Sequence, residues 1–371
     1  MNGLYIHIPF CESRCIYCGF YSTTQSNLID RYVKTVCKEI ELRKDYLPDK
    51  RIGTIYFGGG TPSLLSHHHL NTIFRCINKQ YDTKNLQEVT LECNPDDVTT
   101  RFVTSLRSFP VNRVSLGAQS FSNKILHFLN RRHTSLEIVS AVSKLRSAGI
   151  SNISIDLMFG FPGQTLDEWQ TDIDRALSMN VEHISAYSLM YEEGTPLFKM
   201  LAQGKIHEIN EERSRNMYEI LIERLCSAGY EHYEISNFAK SGYRSRHNSS
   251  YWHAVPYIGI GAAAHSYDQR SRQWNIDDIE LYMQAIEQGE IKMEREILTP
   301  QIIYNDTVTT ALRTCEGIDL RVLQPDFKDY FMKNARRHLQ AGLMEIFGDH
   351  ARLTHKGLFI SDLIMTDLMF I

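Results

Sequence analysis

This 371-residue chain lacks several features, and each absence narrows what it can do. Its start, Met1-Asn-Gly-Leu-Tyr-Ile-His-Ile-Pro9, has neither a basic segment nor an apolar stretch of signal-peptide length. No window approaches the apolar length of a membrane span. Positive charge is not in excess: 40 Lys and Arg stand against 44 Asp and Glu, a net charge of −4, so no global field favours nucleic acid or anionic lipid. The eight cysteines form no paired framework, which fits a reducing compartment with thiols free or metal-bound. There is no internal repeat or low-complexity tract. These absences lead to the expectation of a cytoplasmic globular protein, with peripheral contact at a membrane surface left open. The length suits one large α/β domain of barrel size plus a smaller appendage.

What is present concentrates near the start. Cys11-Glu-Ser-Arg-Cys15-Ile-Tyr-Cys18 places three thiols in a loop directly after a short strand. Thiolates are the usual ligands of iron–sulfur clusters, and a cubane held wholly by protein takes four. Gly19 and Phe20 follow instead of a fourth cysteine, so one iron would keep a position open for a substrate. Two other readings stand beside this one: a structural zinc site completed by His7, and three unrelated thiols.

Along the chain, short β-branched runs alternate with helical patterns. Strands are expected at 4–8, 54–57, 89–92, 113–117, 153–156 and 183–189. Helices are expected at 30–47, from Ser66 as N-cap, and at 122–129, 135–148, 166–179 and 211–228. Six strand–helix units imply a parallel sheet with right-handed crossovers, an incomplete (β/α)6 barrel. Glu92, Gln119 and Asp156 then fall at the C-terminal ends of strands, where barrels place their chemistry. Gly58-Gly-Gly-Thr-Pro62 after the second strand lets backbone approach a ligand closely. Residues 244–252 read as a polar, aromatic loop, 277–288 as a short helix, and 299 onward as a mostly helical unit of winged-helix proportions. Residues 321–371 carry seven Lys/Arg against six Asp/Glu, so no nucleic-acid-binding face stands out. His67-His-His69 reads as a solvated helix start, Cys37, Cys76 and Cys226 as small core residues in helices, and Cys93 as pointing into the barrel wall. Met365 and Met369 read as packing, and Cys315 has no assigned role. The expected domains are 1–235 (barrel), 236–295 (connector) and 296–371 (C-terminal unit).

With CxxxCxxC beside the glycine run, the chain resembles the radical S-adenosylmethionine (SAM) enzymes. It is similar in particular to their coproporphyrinogen dehydrogenase (HemN-like) branch. Tyr5-Ile-His-Ile-Pro-Phe-Cys11, Phe57-Gly-Gly-Gly-Thr-Pro62, Ser115-Leu-Gly-Ala-Gln-Ser-Phe121, Leu129-Asn-Arg-Arg-His133 and Ile155-Asp-Leu-Met-Phe-Gly-Phe-Pro-Gly-Gln-Thr165 carry the resemblance. It implies a [4Fe–4S] cluster on Cys11, Cys15 and Cys18, with SAM chelated at the open iron. It implies SAM contacts from Tyr5, Tyr17, Gly59, Gly60, Thr61, Glu92, Gln119, Arg131 and Asp156. One electron from the cluster would split the sulfonium to methionine and a 5′-deoxyadenosyl radical.

Within the branch, the dehydrogenase has a cysteine where this chain has Phe20, and a longer segment before the first strand. Both differences resemble the HemW-type haem chaperones, as does the HNxxYW pattern of His247-Asn-Ser-Ser-Tyr-Trp252 followed by Gly261-Ala-Ala-Ala-His-Ser266. The resemblance implies haem as cargo, with His247 on iron, Tyr251 and Trp252 on the porphyrin face, and Arg244 and Arg246 at propionates. The implied partners are acceptor haemoproteins and an electron donor. The alternative is oxidative decarboxylation of coproporphyrinogen III to protoporphyrinogen IX.

Overall fold

The computed structural model describes residues 1–371. The chain opens with β1 (Asn2–Ile8), α1 (Ile29–Leu42), β2 (Ile52–Gly59), α2 (His67–Gln80), β3 (Glu88–Cys93) and α3 (Thr100–Leu106). It continues with β4 (Arg113–Gln119), α4 (Asn123–Phe128), α5 (Ser135–Ser147), β5 (Asn152–Phe159), α6 (Leu166–Ser178) and β6 (His183–Ser188). Strands β1 to β6 pair in sequence order and all run parallel, giving the expected incomplete (β/α)6 barrel. Side chains alternate across each strand. One face carries Leu4, Ile6, Ile8, Ile55, Phe57, Val114, Leu116, Ile153 and Ile155, buried in the main apolar core. The opposite face carries Tyr5, Tyr56, Glu92, Arg113, Ser115 and Asp156. A closed barrel fills its interior with branched apolar residues; this one has a polar chamber.

After α7 (Pro196–Ala202) and α8 (Glu211–Ser227) come β7 (Glu231–Glu234) and β8 (Asn237–Ala239), with β8 antiparallel to β6. Next are α9 (Arg246–Trp252), β9 (Tyr257–Ile260), β10 (His265–Tyr267), β11 (Ser271–Asn275), α10 (Ile279–Gln288) and β12 (Met293–Ile297). Strand β9 pairs parallel with β1, and the twelve strands make one sheet in the order β12-β11-β10-β9-β1-β2-β3-β4-β5-β6-β8-β7. Residues 236–295, expected as a connector, therefore supply strands to both ends of the sheet, and the main core extends from Leu4 to Ile286. The C-terminal unit has α11 (Pro300–Ala311), β13 (Ile318–Asp319), α12 (Pro325–Gln340), β14 (Met344–Phe347), β15 (His350–Leu353), α13 (His355–Leu358) and α14 (Ser361–Leu368). Its helices pack on a three-stranded sheet around a separate core, Tyr304 to Leu368, that includes Met365.

Helix α1 stops at Leu42 rather than 47. Tyr46 N–H donates to the Arg43 carbonyl in a turn that buries Leu47 ahead of Pro48, which cannot extend a helix and biases its predecessor away from one. Helices α3 and α7 are seven residues each, too short for a periodic signal. Cys226 is exposed at the end of α8 instead of in the core, while Cys93 is buried as expected. At the start of α2, His69 completes a capping box with Ser66 and meets Asp30 at 2.7 Å. No helix is long and apolar enough to cross a membrane.

Candidate functional site

Because β1 to β6 are parallel, the segments that follow them meet at one end of the barrel. The cysteine loop leaves β1 there, held by Cys11 N–H to Thr23 O (2.9 Å) and Ile16 N–H to Leu129 O (3.2 Å). Cys11, Cys15 and Cys18 are all free thiols and partly exposed. The glycine run of β2 lies against the loop's root: Gly60 N–H donates to Ile8 O at 2.8 Å, and a Cβ on Gly60 would sit 2.8 Å from the Phe10 carbonyl. Gly59 has φ +109°, and a Cβ there would run into the His7 imidazole. Only glycine fits either position.

Two donors point at the thiols. The Thr61 hydroxyl is 3.5 Å from Cys11 Sγ, and Arg131 Nη1 is 3.4 Å from Cys15 Sγ. Arg131 Nη2 also donates to Asn94 Oδ1 (2.8 Å) and to Gly117 O (2.5 Å), while its buried Nε has no partner. Burial opposes the Arg131 charge, yet neighbouring Tyr17 and Cys15 raise its pKa above the ordinary value. Asn94 Nδ2 bridges to Thr61 Oγ1 at 3.3 Å. Sequence reasoning missed Asn94, although its place one residue past β3 was the available signal. Gly117 makes room for Arg131 and for Gln119, which itself adopts φ +64°. Tyr17 packs against a small apolar cluster that includes Leu129, Met158 and Phe161.

No three His, Cys, Asp or Glu side chains converge on a point where one ion would sit. In a cubane each thiolate binds a different iron, and hydrogen-bond donors at the sulfurs tune it. The cysteine loop, Thr61 and the unpartnered Arg131 Nε suit such a cluster with a charged ligand beside it.

Below the mouth lies the polar chamber. Tyr56 donates to Glu92 Oε1 (2.6 Å), and Gly59 N–H reaches Glu92 Oε2 (3.2 Å). Tyr5 stacks on Tyr56 and meets His7 Nδ1 at 3.1 Å. Burial, with the nearby Asp156 charge adding to it, pushes the Glu92 carboxyl up to about 7. Asp156 takes the Ser115 hydroxyl at 3.2 Å, and burial raises its pKa against the pull of Arg113. Glu92 and Asp156 lie within their strands rather than at the last residue, and because Leu91, Cys93, Ile155 and Leu157 beside them turn to the apolar core, both face the chamber. Arg113 is 1 % exposed, with neither Nε nor Nη1 hydrogen-bonded. Arg113, Tyr56 and Ser115 were missed, although they follow the two-residue alternation of β2 and β4.

The HNxxYW segment corrects two expectations. It is the helix α9, capped by Ser245 Oγ accepting from Asn248 N–H (3.3 Å), and it lies across the opposite, N-terminal ends of the strands. Glu88, the first residue of β3, accepts from Arg246 N–H (2.8 Å) and His247 N–H (3.0 Å). The His247 ring is fully buried between Thr54 Oγ1 on Nδ1 and Tyr251 OH on Nε2, each at 2.8 Å. Burial, helped by Arg113, holds its pKa down at about 3. With both nitrogens engaged, His247 has no lone pair left for iron. Tyr251 is committed to His247, and Trp252 lies under the Arg313 guanidinium at 5.2 Å. Arg244 pairs with Glu231 and Glu316, and Arg246 with Gln87. The motif forms the chamber's floor, not a porphyrin face.

The sequence profile of the radical SAM superfamily matches residues 5–176. The haem chaperone HemW of Lactococcus lactis is 34 % identical over 90 % of this chain and 86 % of its own length. That of Bacillus subtilis is 36 % identical over 86 % of this chain and 85 % of its own. The chain belongs to the HemW family of radical SAM proteins. Among solved structures, coproporphyrinogen III oxidase HemN of Escherichia coli superposes with a TM-score of 0.85, covering 99 % of this chain and 90 % of that one. At 22 % identity, that likeness speaks to the fold alone, shared across barrel and C-terminal unit.

Proposed function

We propose that this protein is a haem chaperone: it holds a [4Fe–4S] cluster on Cys11, Cys15 and Cys18, binds SAM beside it, and passes haem to acceptor haemoproteins. The observation that carries the cofactor reading is the pair of donors, Thr61 and Arg131, aimed at the thiols of a loop with no fourth cysteine. The haem reading rests on relatives named as haem chaperones. Bound there, the cluster would supply one electron to the SAM sulfonium. Gly59, Gly60 and Thr61 would hold the methionyl part, which their close-packed backbone can approach. Arg131 would clamp its carboxylate and Gln119 would contact it from the end of β4. Glu92 and Asp156 would accept from ammonium or ribose hydroxyls, with Tyr5 bracing Tyr56 behind Glu92. Tyr17 would pack near the adenine. The remaining partners are a one-electron donor and acceptor haemoproteins, with peripheral membrane contact where an acceptor is membrane-bound.

The test is anaerobic reconstitution with iron and sulfide, followed by haem titration and by incubation with coproporphyrinogen III, SAM and a one-electron reductant on the same preparation. The expected result is a brown protein that changes the haem Soret band and leaves coproporphyrinogen unconverted. Protoporphyrinogen IX as a product would overturn the chaperone reading in favour of the dehydrogenase.

A further inference from the structure

If haem is the cargo, the structure must offer iron a ligand, and α9 does not. A different imidazole is free. His265, an exposed residue on β10, makes no hydrogen bond through its ring; partial desolvation lowers its pKa, as does Arg272, so it stays neutral and keeps a lone pair at physiological pH. It lines a cleft of about 570 Å³ whose walls include Tyr21, Trp274, Ile276, Ile291 and Met293. That volume lies within the roughly 300–1,000 Å³ usual for cofactor-sized ligands. We infer that this cleft is the haem site and that His265 supplies the axial ligand to iron; the inference rests on the haem-chaperone reading above.

Several independent features support the assignment. Trp274 lies directly opposite His265 in the β10–β11 ladder, and the two rings stack at 5.8 Å with planes 23° apart. An axial imidazole stands upright on a porphyrin, so a parallel indole braces the ring while its edge, where the lone pair projects, stays clear. Tyr21, Trp274, Ile276, Ile291 and Met293 give the macrocycle an apolar side of the cleft, and Lys292 in the same cleft gives a propionate its cation. Asp277 and Glu294 also line the cleft, which favours a pose with the propionates turned toward Lys292 and solvent.

The loop carrying His265 is held rigidly from behind. Glu39 and Arg43 of α1 form a buried pair at 2.9 Å. Glu39 accepts from Gly261 N–H (2.8 Å) and Asn275 Nδ2 (2.7 Å), and Arg43 donates to Gly259 O (2.8 Å) and Ser266 Oγ (2.9 Å). A Cβ at Gly259 would collide with the His265 carbonyl. Ala263, also lining the cleft, keeps φ +59°, a conformation that persists only where its surroundings enforce it. The cleft also touches the cluster loop: Tyr21, three residues past Cys18, lines it, and its carbonyl meets His7 Nε2 at 3.1 Å. Cargo and cluster would thus share one segment of chain.

The experiment is titration of the full-length protein with ferric haem, read by the Soret band and by electron paramagnetic resonance of the axial ligand, for wild type, His265→Ala and Met293→Glu. For His265→Ala the expected result is a loss of affinity of tenfold or more and disappearance of the imidazole-ligated signal. Met293→Glu, on an exposed strand edge, should weaken binding and retain that signal, which guards against misfolding of the first variant. If wild type binds haem and His265→Ala matches it in affinity and spectrum, the cleft assignment is overturned while the chaperone reading stands. If wild type binds no haem at all, the chaperone reading falls and takes this inference with it.

Discussion

Glu92 is a carboxyl whose charge the fold resists. Its pKa is about 7 in the folded protein against an ordinary value near 4.5, so between those pH values the folded state keeps a proton that the unfolded chain has released. Stability from this group is therefore full below pH 4.5 and lost as pH rises to 7, by about 3 kcal/mol at most. Glu92→Gln, measured by urea denaturation of the cofactor-free protein, should match wild type at pH 4.5 and exceed it by up to that amount above pH 7. An equal difference at both pH values would show that Glu92 does not titrate in this window. At this scale the sequence was legible where spacing itself is the signal, as in Cys11, Cys15 and Cys18 or Gly58 to Thr61. It was not legible for Arg113 or Asn94, whose meaning comes from neighbours on other strands. His247 shows the converse: a motif can be recognised while the reason for its imidazole, a bond at each nitrogen, stays hidden until Thr54 is beside it.

At the level of elements, α1 does more than cover the sheet. Its Glu39–Arg43 pair sits behind the β9–β10 turn, and Glu39 also takes the Tyr282 hydroxyl from α10 at 2.6 Å. Removing one member of a buried, hydrogen-bonded pair leaves the other charge stranded, typically at ~3–5 kcal/mol. Glu39→Ala should lower the denaturation midpoint accordingly and, through the slackened turn, weaken haem binding; urea melts and haem titration check both. Barrel strands and long helices were foreseeable from periodicity. Helix α9 was not, because seven polar and aromatic residues have no apolar face to show, and its existence depends on the Ser245 cap and on Glu88 from a distant strand.

For the whole molecule, several contacts join the two cores, Arg244 with Glu316 and Arg272 with Asp306 among them, and Arg313 makes two more. It pairs with the buried Glu234 at 2.7 Å and lies over Trp252, joining the segment after α11 to β7 and the chamber floor. Arg313→Ala should strip Glu234 of its counter-charge, cost about 3 kcal/mol, and split a single calorimetric transition into two, the C-terminal unit melting first. The large–small division of the chain was foreseeable from its length and pattern. The contribution of 236–295 to both sheet margins was not, because its strands are short and the two pairings that tie them to the barrel, β8 with β6 and β9 with β1, join residues far apart in sequence.

The floor built by α9 has one more consequence. His247, Tyr251 and Glu88 close the chamber at that end of the strands. Nothing can enter or leave by the end that α9 covers, so water and ligands alike must come to Glu92 and Asp156 from the other sides, and a change that loosens α9 would wet both carboxyls from beneath.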